Sequence, residues 1–394
     1  MNNRPQLSAS RRRFLKQLGV LGGAGLLGPS FLAACSSDGG GGGDASSTGT
    51  AGGGSGGGGS SNALRIDNWP GYIDEETVGI FTDQTGLDFS YTEAFNDNDE
   101  YFARAQADLA DGRDIGADII VPTFWLAARL IGLEWVRELP LDDIPNASNL
   151  VESLVNPAWD PTGKFTLPWQ SGMTGIAYNI AETGRELTSM DDLFDPEFAG
   201  RIGMLTEMRD TIGLLLLAEG IDPATVTFDD AAPAFERVQA AKDDGTIRAF
   251  TGNDYMDDLA SGNFAACIGW SGDISQLALD NPDLRFVIPE TGGMRWSDVM
   301  VVPAGATNFG NVAQWMNFVY DPENAARITA YIGYNSPVDG VQEVLAANPD
   351  TAALAESTLV FPDDDTLAQL HVFADLSEDE EAAFSERFSA ITGA

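Results

Sequence analysis

The chain has 394 residues, with 60 acidic side chains against 21 Lys and Arg and a net charge of −39. This balance argues against a nucleic-acid partner, and an acid-rich surface with few lysines is typical of proteins that stay soluble in concentrated salt. The single histidine, His371, excludes a metal site built from several histidines and argues against a His-dependent catalytic triad. Cys267 lies in an apolar run and is expected to be a core residue without a disulfide partner.

The first segment of the chain predicts export. Residues 10–16 (SRRRFLK) form a twin-arginine motif, and residues 32–35 (LAAC) are similar to a lipobox after a short, Gly-rich apolar stretch. We therefore expect 1–34 to be a Tat signal peptide, Cys35 to be lipidated, and 35–63 to be a flexible Gly/Ser-rich linker. An ordinary cleaved signal and a transmembrane anchor are the alternatives, although the apolar stretch is short for a span. The expected location is the outer face of the cytoplasmic membrane, in the periplasm or at the cell surface.

From residue 64 onward the composition is that of a globular body long enough for two lobes. The first part of this body alternates between strand and helix patterns. Strands are predicted at 64–69, 87–91 and 117–121, and helices at 73–85 and 99–109. The apolar strand at 117–121 is typical of a parallel sheet that is buried on both faces. This alternation predicts an α/β fold.

A second α/β stretch follows with its own strands. A capping box at Ser189–Asp192 predicts a short helix. Strands are predicted at 201–205, 264–270, 284–288 and 298–302, and helices from 210 or 211 to 217, at 256–260, at 312–319 and after Pro322. No internal sequence repeat is visible, so the two stretches indicate two lobes rather than a repeat array.

Aromatic and acidic residues recur just past the predicted strand ends, which is where open α/β sheets bind ligands. The residues at these places are Trp69, Tyr72, Thr123, Phe124, Trp125, Glu207, Asp210, Trp270, Asp273, Trp296, Asp298 and Tyr334. Aromatic faces attract cations, and carboxylates form charge-assisted hydrogen bonds with ammonium groups. The set therefore predicts a site for an elongated organic polycation, whereas any one of the tryptophans taken alone is more often a core residue.

Several segments, in this order and spacing, resemble the spermidine/putrescine-binding proteins of ABC transporters. The resemblance runs from about residue 64 to at least residue 338, through 68–73 (NWPGYI), 117–123 (ADIIVPT), 195–202 (DPEFAGRI), 270–273 (WSGD), 292–298 (GGMRWSD) and 332–334 (IGY). It implies a two-lobed, type II-like periplasmic-binding-protein fold with a hinge and an interlobe cleft. Lobe 1 would comprise 64–168 plus 298–344, and lobe 2 would comprise 169–297 plus 345–394, with crossings near Pro168 and Asp298.

The resemblance also implies roles for individual residues in a polyamine cleft. Trp69, Tyr72, Thr123 and Trp125 would line it from lobe 1, and Trp270 and Trp296 would sandwich the methylene chain. Asp298 would bind an amine, and Tyr334 would form a hydrogen bond near the lobe crossing. Asp210 is the preferred acid of its loop, Glu207 is the second choice, and Asp273 completes the set of candidates. Trp125 stands where the family often has tyrosine, and the family's last cleft residue has no clear match here.

The implied function is that of a monomeric, non-enzymatic binding lipoprotein that delivers a polyamine to a membrane permease without a cofactor or metal. Alternatives within the binding class are a sugar, a quaternary amine such as a betaine, and ferric ion. A glycoside hydrolase that uses Asp273 and Asp298, and a structural lipoprotein without a ligand, are the alternatives from other classes.

Overall fold

The computed structural model describes residues 62–393. The predicted signal peptide, the twin-arginine motif, Cys35 and the linker up to residue 61 lie outside the described residues. Within the described range, no helix combines the length and the low polarity that crossing a bilayer demands. The first strand begins at Ala63, which is the last residue of the predicted linker and one residue before the predicted start of the body.

Lobe 1 is built on a parallel sheet of three strands in the order β2-β1-β3. Its elements are β1 (Ala63–Asn68), α1 (Glu75–Thr85), β2 (Asp88–Glu93), α2 (Asn98–Ala110), β3 (Ile119–Ile120) and α3 (Phe124–Gly132). Alternation of strand and helix in this part of the chain is confirmed, although β3 is shorter than predicted and α3 was not predicted. Because all three strands are parallel, their carboxyl ends share one edge.

Helices α1 and α2 begin just beyond this edge of the sheet, and a side chain caps the first turn of each. Asp74 accepts a hydrogen bond from the backbone N–H of Thr77 at the start of α1, and Asp97 accepts from Asp99 and Glu100 at the start of α2. Gly86 ends α1 with a φ of 66°, a conformation that glycine adopts without strain. The caps keep the strand-to-helix loops short, so the residues on these loops stay at the edge of the sheet.

Lobe 2 contains a mixed sheet of seven strands in the order β10-β9-β4-β7-β5-β6, with β8 also paired to β4. The strands are β4 (Leu167–Asn179), β5 (Ile202–Leu205), β6 (Ile247–Thr251), β7 (Ala266–Trp270), β8 (Leu284–Val287), β9 (Gly293–Met300) and β10 (Leu370–His371). The helices between them are α4 (Ile180–Thr183), α5 (Met208–Ala218), α6 (Ala232–Asp243), α7 (Tyr255–Ala260) and α8 (Ser271–Ala278). The α/β fold class is confirmed.

Six further helices follow β9. They are α9 (Val312–Val319), α10 (Pro322–Ile332), α11 (Val341–Ala347), α12 (Ala352–Ala355), α13 (Asp364–Leu367) and α14 (Glu378–Thr392). Short 3-10 helices lie at Leu141–Asp143, Pro145–Asn149, Glu152–Leu154, Met190–Phe194, Pro196–Phe198 and Phe309–Asn311. The predicted capping box is confirmed, since Ser189 and Asp192 cap each other's backbone at the start of the helix at 190–194. The final helix, α14, packs on α5 and α6 of lobe 2.

Two long strands connect the sheets. β4 and β9 pair antiparallel from Leu167 opposite Met300 to Thr174 opposite Met294. On its other side the β9 segment bridges to lobe 1, where Asp298 lies opposite Thr123 and Val301 lies opposite Ile120. The ends of β4 and β9 therefore adjoin lobe 1 while their other halves belong to the sheet of lobe 2.

The position of Trp296 and Asp298 differs from the prediction. We expected both near a strand end, with Trp296 ahead of a strand at 298–302 and Asp298 as its first residue, but both lie inside β9 at 293–300. The error arose because the glycines at 292–293 indicated a long turn, whereas Gly293 already pairs with β10 and its neighbour Met294 with β4. Residues 296 and 298 alternate with their neighbours along the strand, so they share one face of the sheet.

Lobe 2 has a core formed by apolar residues of its central strands and of α5. Ile176, Met204, Leu214 and Ile268 are fully buried there, and Cys267 is buried among them on β7. Burial raises the pKa of the Cys267 thiol well above its usual range. Cys267 is thus a core residue, as expected.

Candidate functional site

A cavity of about 630 Å³, including the solvent at its mouth, lies between the two lobes. Eleven of its lining residues are the candidates predicted from the sequence: Trp69, Tyr72, Thr123, Trp125, Glu207, Asp210, Trp270, Asp273, Trp296, Asp298 and Tyr334. The structure therefore brings the whole predicted set together around one cavity. Within residues 62–393, no three His, Cys, Asp or Glu side chains are grouped as metal ligands.

Five aromatic rings form a continuous wall of this cavity. Trp270 meets Trp69 edge to face with ring centres 5.9 Å apart and Trp296 with ring centres 6.2 Å apart. Tyr334 continues the wall, with centroid distances of 5.5 Å to Trp296 and 5.2 Å to Tyr72. Edge-to-face contacts are favourable because the positive edge of one ring meets the negative face of the next. These contacts fix the angles between rings that come from separate segments of the chain.

Two glycines make room for this wall. A Cβ atom at Gly172 on β4 would lie 2.4 Å from the ring of Trp296, and one at Gly272 on α8 would lie 2.3 Å from the ring of Tyr334. Any larger residue at either position would push a ring out of place. The glycine of the segment 270–273 therefore has a packing role in the site.

Asp298 is a buried residue of the cavity lining, between the lobes. Tyr72 donates a hydrogen bond to Oδ2 at 2.9 Å, and Thr123 donates one to Oδ1 at 2.8 Å. Burial raises the pKa of Asp298 to about 7, while these two donors oppose the rise and the nearby carboxylates of Asp210 and Asp273 add to it. The group is poised to ionise fully once a cation approaches.

Two further aspartates reach the cavity from lobe 2. Asp210 accepts hydrogen bonds from Thr174 at 2.7 Å and from the indole Nε1 of Trp270 at 2.9 Å. Asp273 accepts hydrogen bonds from Tyr334 at 2.7 Å, from Tyr255 at 3.0 Å and from the side-chain amide of Asn253 at 3.2 Å. Burial raises the pKa of each aspartate to about 6 against these donors. A carboxylate has roughly four acceptor positions, so each retains capacity for a ligand donor.

Glu207 also lines the cavity, but its carboxylate contacts the other lobe. The backbone N–H and the side-chain amide of Asn98 both donate to its Oε1 at 2.8 Å. Burial raises the pKa of Glu207, and repulsion from Asp97 adds to the rise. Because one oxygen already accepts two bonds across the cleft, Glu207 is placed as a rim contact, whereas Asp210 lies among the rings.

Trp125 lines the cavity as predicted, but its ring is in contact with a side chain that was not among the candidates. The guanidinium of Arg209 lies over its ring, with Cζ 4.1 Å from the centroid. Arg209 also forms an ion pair with Glu381 of α14. One face of Trp125 is thus covered by a cation of the protein itself.

Several lining residues were not among the candidates. They are Pro70, Phe124, Arg209, Asn253, Met294, Arg295 and Phe373, of which Phe124 was noted only as a residue near a strand end. Arg209 lies within the loop that supplied Glu207 and Asp210, so a search of that loop for cations would have found it. Phe373 follows β10, in the region where no cleft residue could be matched, and a lone phenylalanine there carries no sequence signal.

The geometry agrees with what comparison of the whole sequence shows. The family model described as bacterial extracellular solute-binding protein matches residues 76–357. The chain belongs to this family. Proteins that it resembles include the spermidine/putrescine-binding periplasmic protein 1 of Haemophilus influenzae, 24% identical over 79% of this chain and 84% of that protein. The putrescine-binding periplasmic protein PotF of Escherichia coli is 27% identical over 78% of this chain and 85% of that protein.

Solved structures agree on the fold of this solute-binding protein. A putative spermidine/putrescine ABC transporter from Listeria monocytogenes superposes with a TM-score of 0.75 at 26% identity, over 84% of this chain and 99% of that one. The spermidine/putrescine substrate-binding protein PotD of Streptococcus pneumoniae gives a TM-score of 0.68 at 25% identity, over 84% and 98%. The two-lobed architecture expected for the chain is thereby confirmed.

Proposed function

We propose that this solute-binding protein captures a polyamine in the interlobe cavity and delivers it to an ABC permease. The observation that carries the proposal is a set of three buried carboxylates, Asp210, Asp273 and Asp298, in a wall of aromatic rings. In the described part of the chain, none of the three takes part in a salt bridge. Burying a charge without a counterion is unfavourable, so a cationic ligand would complete the site.

The chemistry of the wall supports the same ligand. Ammonium groups pair with carboxylates and lie well against aromatic faces, and the methylene chain between them packs on rings. The names of the similar proteins, which refer to spermidine and putrescine, agree with such a ligand. In this proposal Asp298, Asp210 and Asp273 bind amines, and Trp69, Tyr72, Trp270, Trp296 and Tyr334 contact the chain.

Capture would proceed by closure of the lobes, here assigned as 64–168 plus 298–344 and 169–297 plus 345–394. The rim contacts of Asn98 with Glu207 and of Asp97 with Thr206 join the lobes. Closure over the ligand would exclude water, which strengthens each charge contact. The closed surface would then be the one that the permease recognises.

Other ligands fit the cavity less well. Asn253 is the single amide side chain among the lining residues, whereas a sugar requires many polar donors and acceptors. A quaternary amine has no N–H group to donate to the three carboxylates. The family is one of transport proteins, so a glycoside hydrolase remains only as an outcome to test, with a chromogenic glycoside, at Asp273 and Asp298.

The proposal also includes the export route, the membrane attachment, the oligomeric state and the surface charge of the protein. We propose export by the Tat pathway, a lipid anchor at Cys35, a monomeric body and a surface adapted to concentrated salt. The motif at 10–16 supports the export route, the lipobox-like segment at 32–35 supports the lipid anchor, and the net charge of −39 supports the salt-adapted surface. Metabolic labelling with a fatty acid, compared between the native chain and Cys35→Ser, tests the anchor.

Calorimetric titration of the body, residues 62–394, tests the function. The ligands are spermidine, putrescine, glycine betaine and maltose, each at moderate and at high salt. Heat with an amine that Asp298→Asn abolishes is the expected result. Heat with betaine or maltose alone would retain the fold and overturn the ligand.

A further inference from the structure

We infer that Asn98 is a positioning residue of the cation site, which connects the contact between the lobes at Glu207 to the carboxylate of Asp298. Its side-chain amide directs the hydroxyl proton of Thr123 onto Asp298, and the same nitrogen donates across the cleft. The inference rests on the proposed polyamine function and concerns how closure of the lobes acts on one ligand carboxylate. Asn98 was not among the candidates predicted from the sequence, and it does not line the cavity.

The side chain of Asn98 is fully buried and is bonded to Thr123 through both of its polar atoms. The backbone N–H of Thr123 donates to Oδ1 of Asn98 at 3.1 Å, and Nδ2 of Asn98 donates to Oγ1 of Thr123 at 2.9 Å. Because a backbone N–H can only donate, Oδ1 must be the atom that faces it, and this fixes the orientation of the amide. Both residues belong to lobe 1, since Asn98 begins α2 and Thr123 precedes α3.

The hydroxyl of Thr123 has a single proton, and the amide determines where it points. The hydroxyl oxygen already accepts the bond from Asn98. Its other partner is Oδ1 of Asp298 at 2.8 Å, which belongs to an accepting carboxylate, so the proton is donated to Asp298. An oxygen in place of Nδ2 would give Thr123 two acceptors for one proton. The amide nitrogen of Asn98 therefore secures the hydrogen bond on Asp298.

The second proton of the Asn98 amide is donated to lobe 2. Nδ2 donates to Oε1 of Glu207 at 2.8 Å, and the backbone N–H of Asn98 donates to the same oxygen at 2.8 Å. Glu207 lies between β5 of the seven-stranded sheet and α5. These two bonds require closed lobes, whereas the bonds within lobe 1 do not. Closure thus fixes the amide from its second side and, through Thr123, the hydrogen bond on Asp298.

The other lobe has the same arrangement with a different asparagine. The backbone N–H of Asn253 donates to the carbonyl of Asn96 in lobe 1 at 3.0 Å, and its Nδ2 donates to Asp273 at 3.2 Å. Each lobe therefore has one asparagine that contacts the opposite lobe and is linked to a cavity aspartate, directly for Asn253 and through a hydroxyl for Asn98. Such buried chains couple their ends, because leaving any member without a partner is costly.

The test measures the pH at which amine affinity rises, because a purely structural role of Asn98 would not change it. Burial raises the pKa of Asp298 and the hydrogen bond from Thr123 opposes the rise, so losing this bond raises the pKa further. Thr123→Val removes the hydroxyl without adding a charge. It should shift the midpoint of putrescine binding upward by at least about half a pH unit, in calorimetric titrations from about pH 5 to 8.5.

The titratable groups that face the two carboxylates of this chain are the same in every variant. Those that act on Asp298 are Tyr72, Asp210 and Asp273. Those that act on Glu207 are Asp97, Asp99 and again Asp210. A shifted midpoint in a variant therefore reports the changed hydrogen bonds and not a new set of neighbours.

Asn98→Asp keeps the shape of the side chain but replaces Nδ2 with an acceptor. It should draw the proton of Thr123 away from Asp298 and repel Glu207, so affinity for putrescine should fall at least about tenfold. Adding Glu207→Gln restores a donor and an acceptor across the cleft and returns the site to its native net charge. This double variant should show the native radius of gyration in saturating putrescine, by small-angle scattering, yet keep an upward midpoint shift like that of Thr123→Val.

Asn308 supplies a matched control. It is also a buried asparagine whose backbone N–H and Nδ2 donate to one carboxylate, that of Asp118, at 3.0 and 2.8 Å, and it does not line the cavity. Asn308→Asp should lower thermal stability and leave the affinity and the midpoint of putrescine binding unchanged. Thermal unfolding of every variant checks that it is folded.

Each outcome supports or overturns a defined statement. A midpoint that Thr123→Val leaves unchanged overturns the role of Asn98 even if no variant of Asn98 folds. A double variant that regains both native closure and the native midpoint also overturns it, because Asn98 would then act only as a contact between the lobes. Both results leave the polyamine function intact. A native protein that binds neither putrescine nor spermidine overturns the proposed function and this inference together.

Discussion

At the residue scale, the charge of the cavity resides on three aspartates that differ in their neighbours. Asp298 is bonded by hydroxyl groups of lobe 1, Asp210 by Thr174 and the indole of Trp270, and Asp273 by two tyrosines and an amide. All these donors are neutral, so they orient the carboxylates without cancelling their charge. The site is preorganised for a ligand that brings the positive charge with it.

Asp298→Asn should weaken amine binding by at least about 30-fold, since losing one partner of a buried charge pair costs about 2–5 kcal/mol. The substitution keeps the shape of the side chain but removes its charge and replaces one acceptor with a donor. Calorimetric titration measures the loss. Asp83→Asn, on the exposed surface of α1, is the control and should change affinity less than about twofold. Equal effects of the two substitutions would contradict the role of Asp298.

Amine affinity should rise as the pH increases from about 5 to 8. Burial raises the pKa of Asp298 to about 7 and those of Asp210 and Asp273 to about 6, from the usual 3.8. Protonated carboxyls cannot pair with ammonium groups, which remain charged throughout this range. The single histidine, His371, does not line the cavity and so does not account for such a profile.

The folding stability of the unliganded protein changes with pH in the opposite direction to its amine affinity. Because the folded carboxyls bind protons more tightly than the unfolded ones, their contribution to stability is fully present below pH 3.8 and is lost as the pH rises through about 6 to 7. An amine ligand should therefore increase Tm more at pH 8 than at pH 5. Thermal unfolding with and without putrescine measures this difference, and a ligand-induced shift that does not change with pH would refute it.

At the element scale, β4 and β9 carry the inner wall of the site. Gly172 on β4 lies opposite Trp296 on β9, and the ring of Trp296 occupies the space above the glycine. The same two strands run from the sheet of lobe 2 to lobe 1, so the wall is built on paired strands rather than on a free loop. A long paired strand is a rigid support for a binding residue, unlike a free loop.

Gly172→Ala should displace the ring of Trp296, because the new Cβ would lie 2.4 Å from it. We expect roughly a tenfold or greater loss of amine affinity and about 1–3 kcal/mol of destabilisation from overpacking. Titration and denaturant unfolding measure the two effects. Gly79→Ala on α1, where a Cβ meets nothing within 4 Å, should leave affinity unchanged and stabilise the helix by up to about 1 kcal/mol. Unchanged affinity in Gly172→Ala would show that Trp296 does not contact the ligand.

At the scale of the whole molecule, the lobes meet at a rim formed by the loop before α2 and two loops of lobe 2. Thr206 donates to Asp97 at 2.6 Å, Asn98 donates to Glu207, and the backbone N–H of Asn253 donates to the carbonyl of Asn96 at 3.0 Å. These bonds link residues more than 100 positions apart along the chain. They stabilise the closed arrangement in which the cavity is formed.

Gly252→Ala should hinder this closure. A Cβ at Gly252 would lie 2.2 Å from the backbone carbonyl oxygen of Asn96, which cannot move as a flexible side chain would. The lobes would have to stay further apart, so amine affinity should fall by roughly tenfold while the stability of each lobe is retained. Small-angle scattering in saturating amine should show a larger radius of gyration than the native protein. An identical radius and affinity would contradict the role of this rim.

The sequence by itself determined the element order and most of the candidate residues. Hydrophobic period, caps and turns are local signals, so the alternation of β1, α1, β2, α2 and β3 could be predicted, as could the capping box at residues 189–192. Aromatic and acidic residues after strand ends could be recognised for the same reason. Most of the eleven predicted residues line one cavity because strand ends of an α/β sheet share an edge, whereas Trp296 and Asp298 lie within β9 and Tyr334 follows α10.

Only the tertiary structure decided which of these groups meet. Asp298 lies 226 residues from Tyr72, and Arg209 lies 172 residues from Glu381, yet each pair is joined by hydrogen bonds. The pairing of β4 with β9, the place of Trp296 within a strand and the cover of Arg209 on Trp125 likewise depend on contacts between distant segments. Local patterns specify the period of an element but not its partner, because a partner is selected by packing over the whole fold.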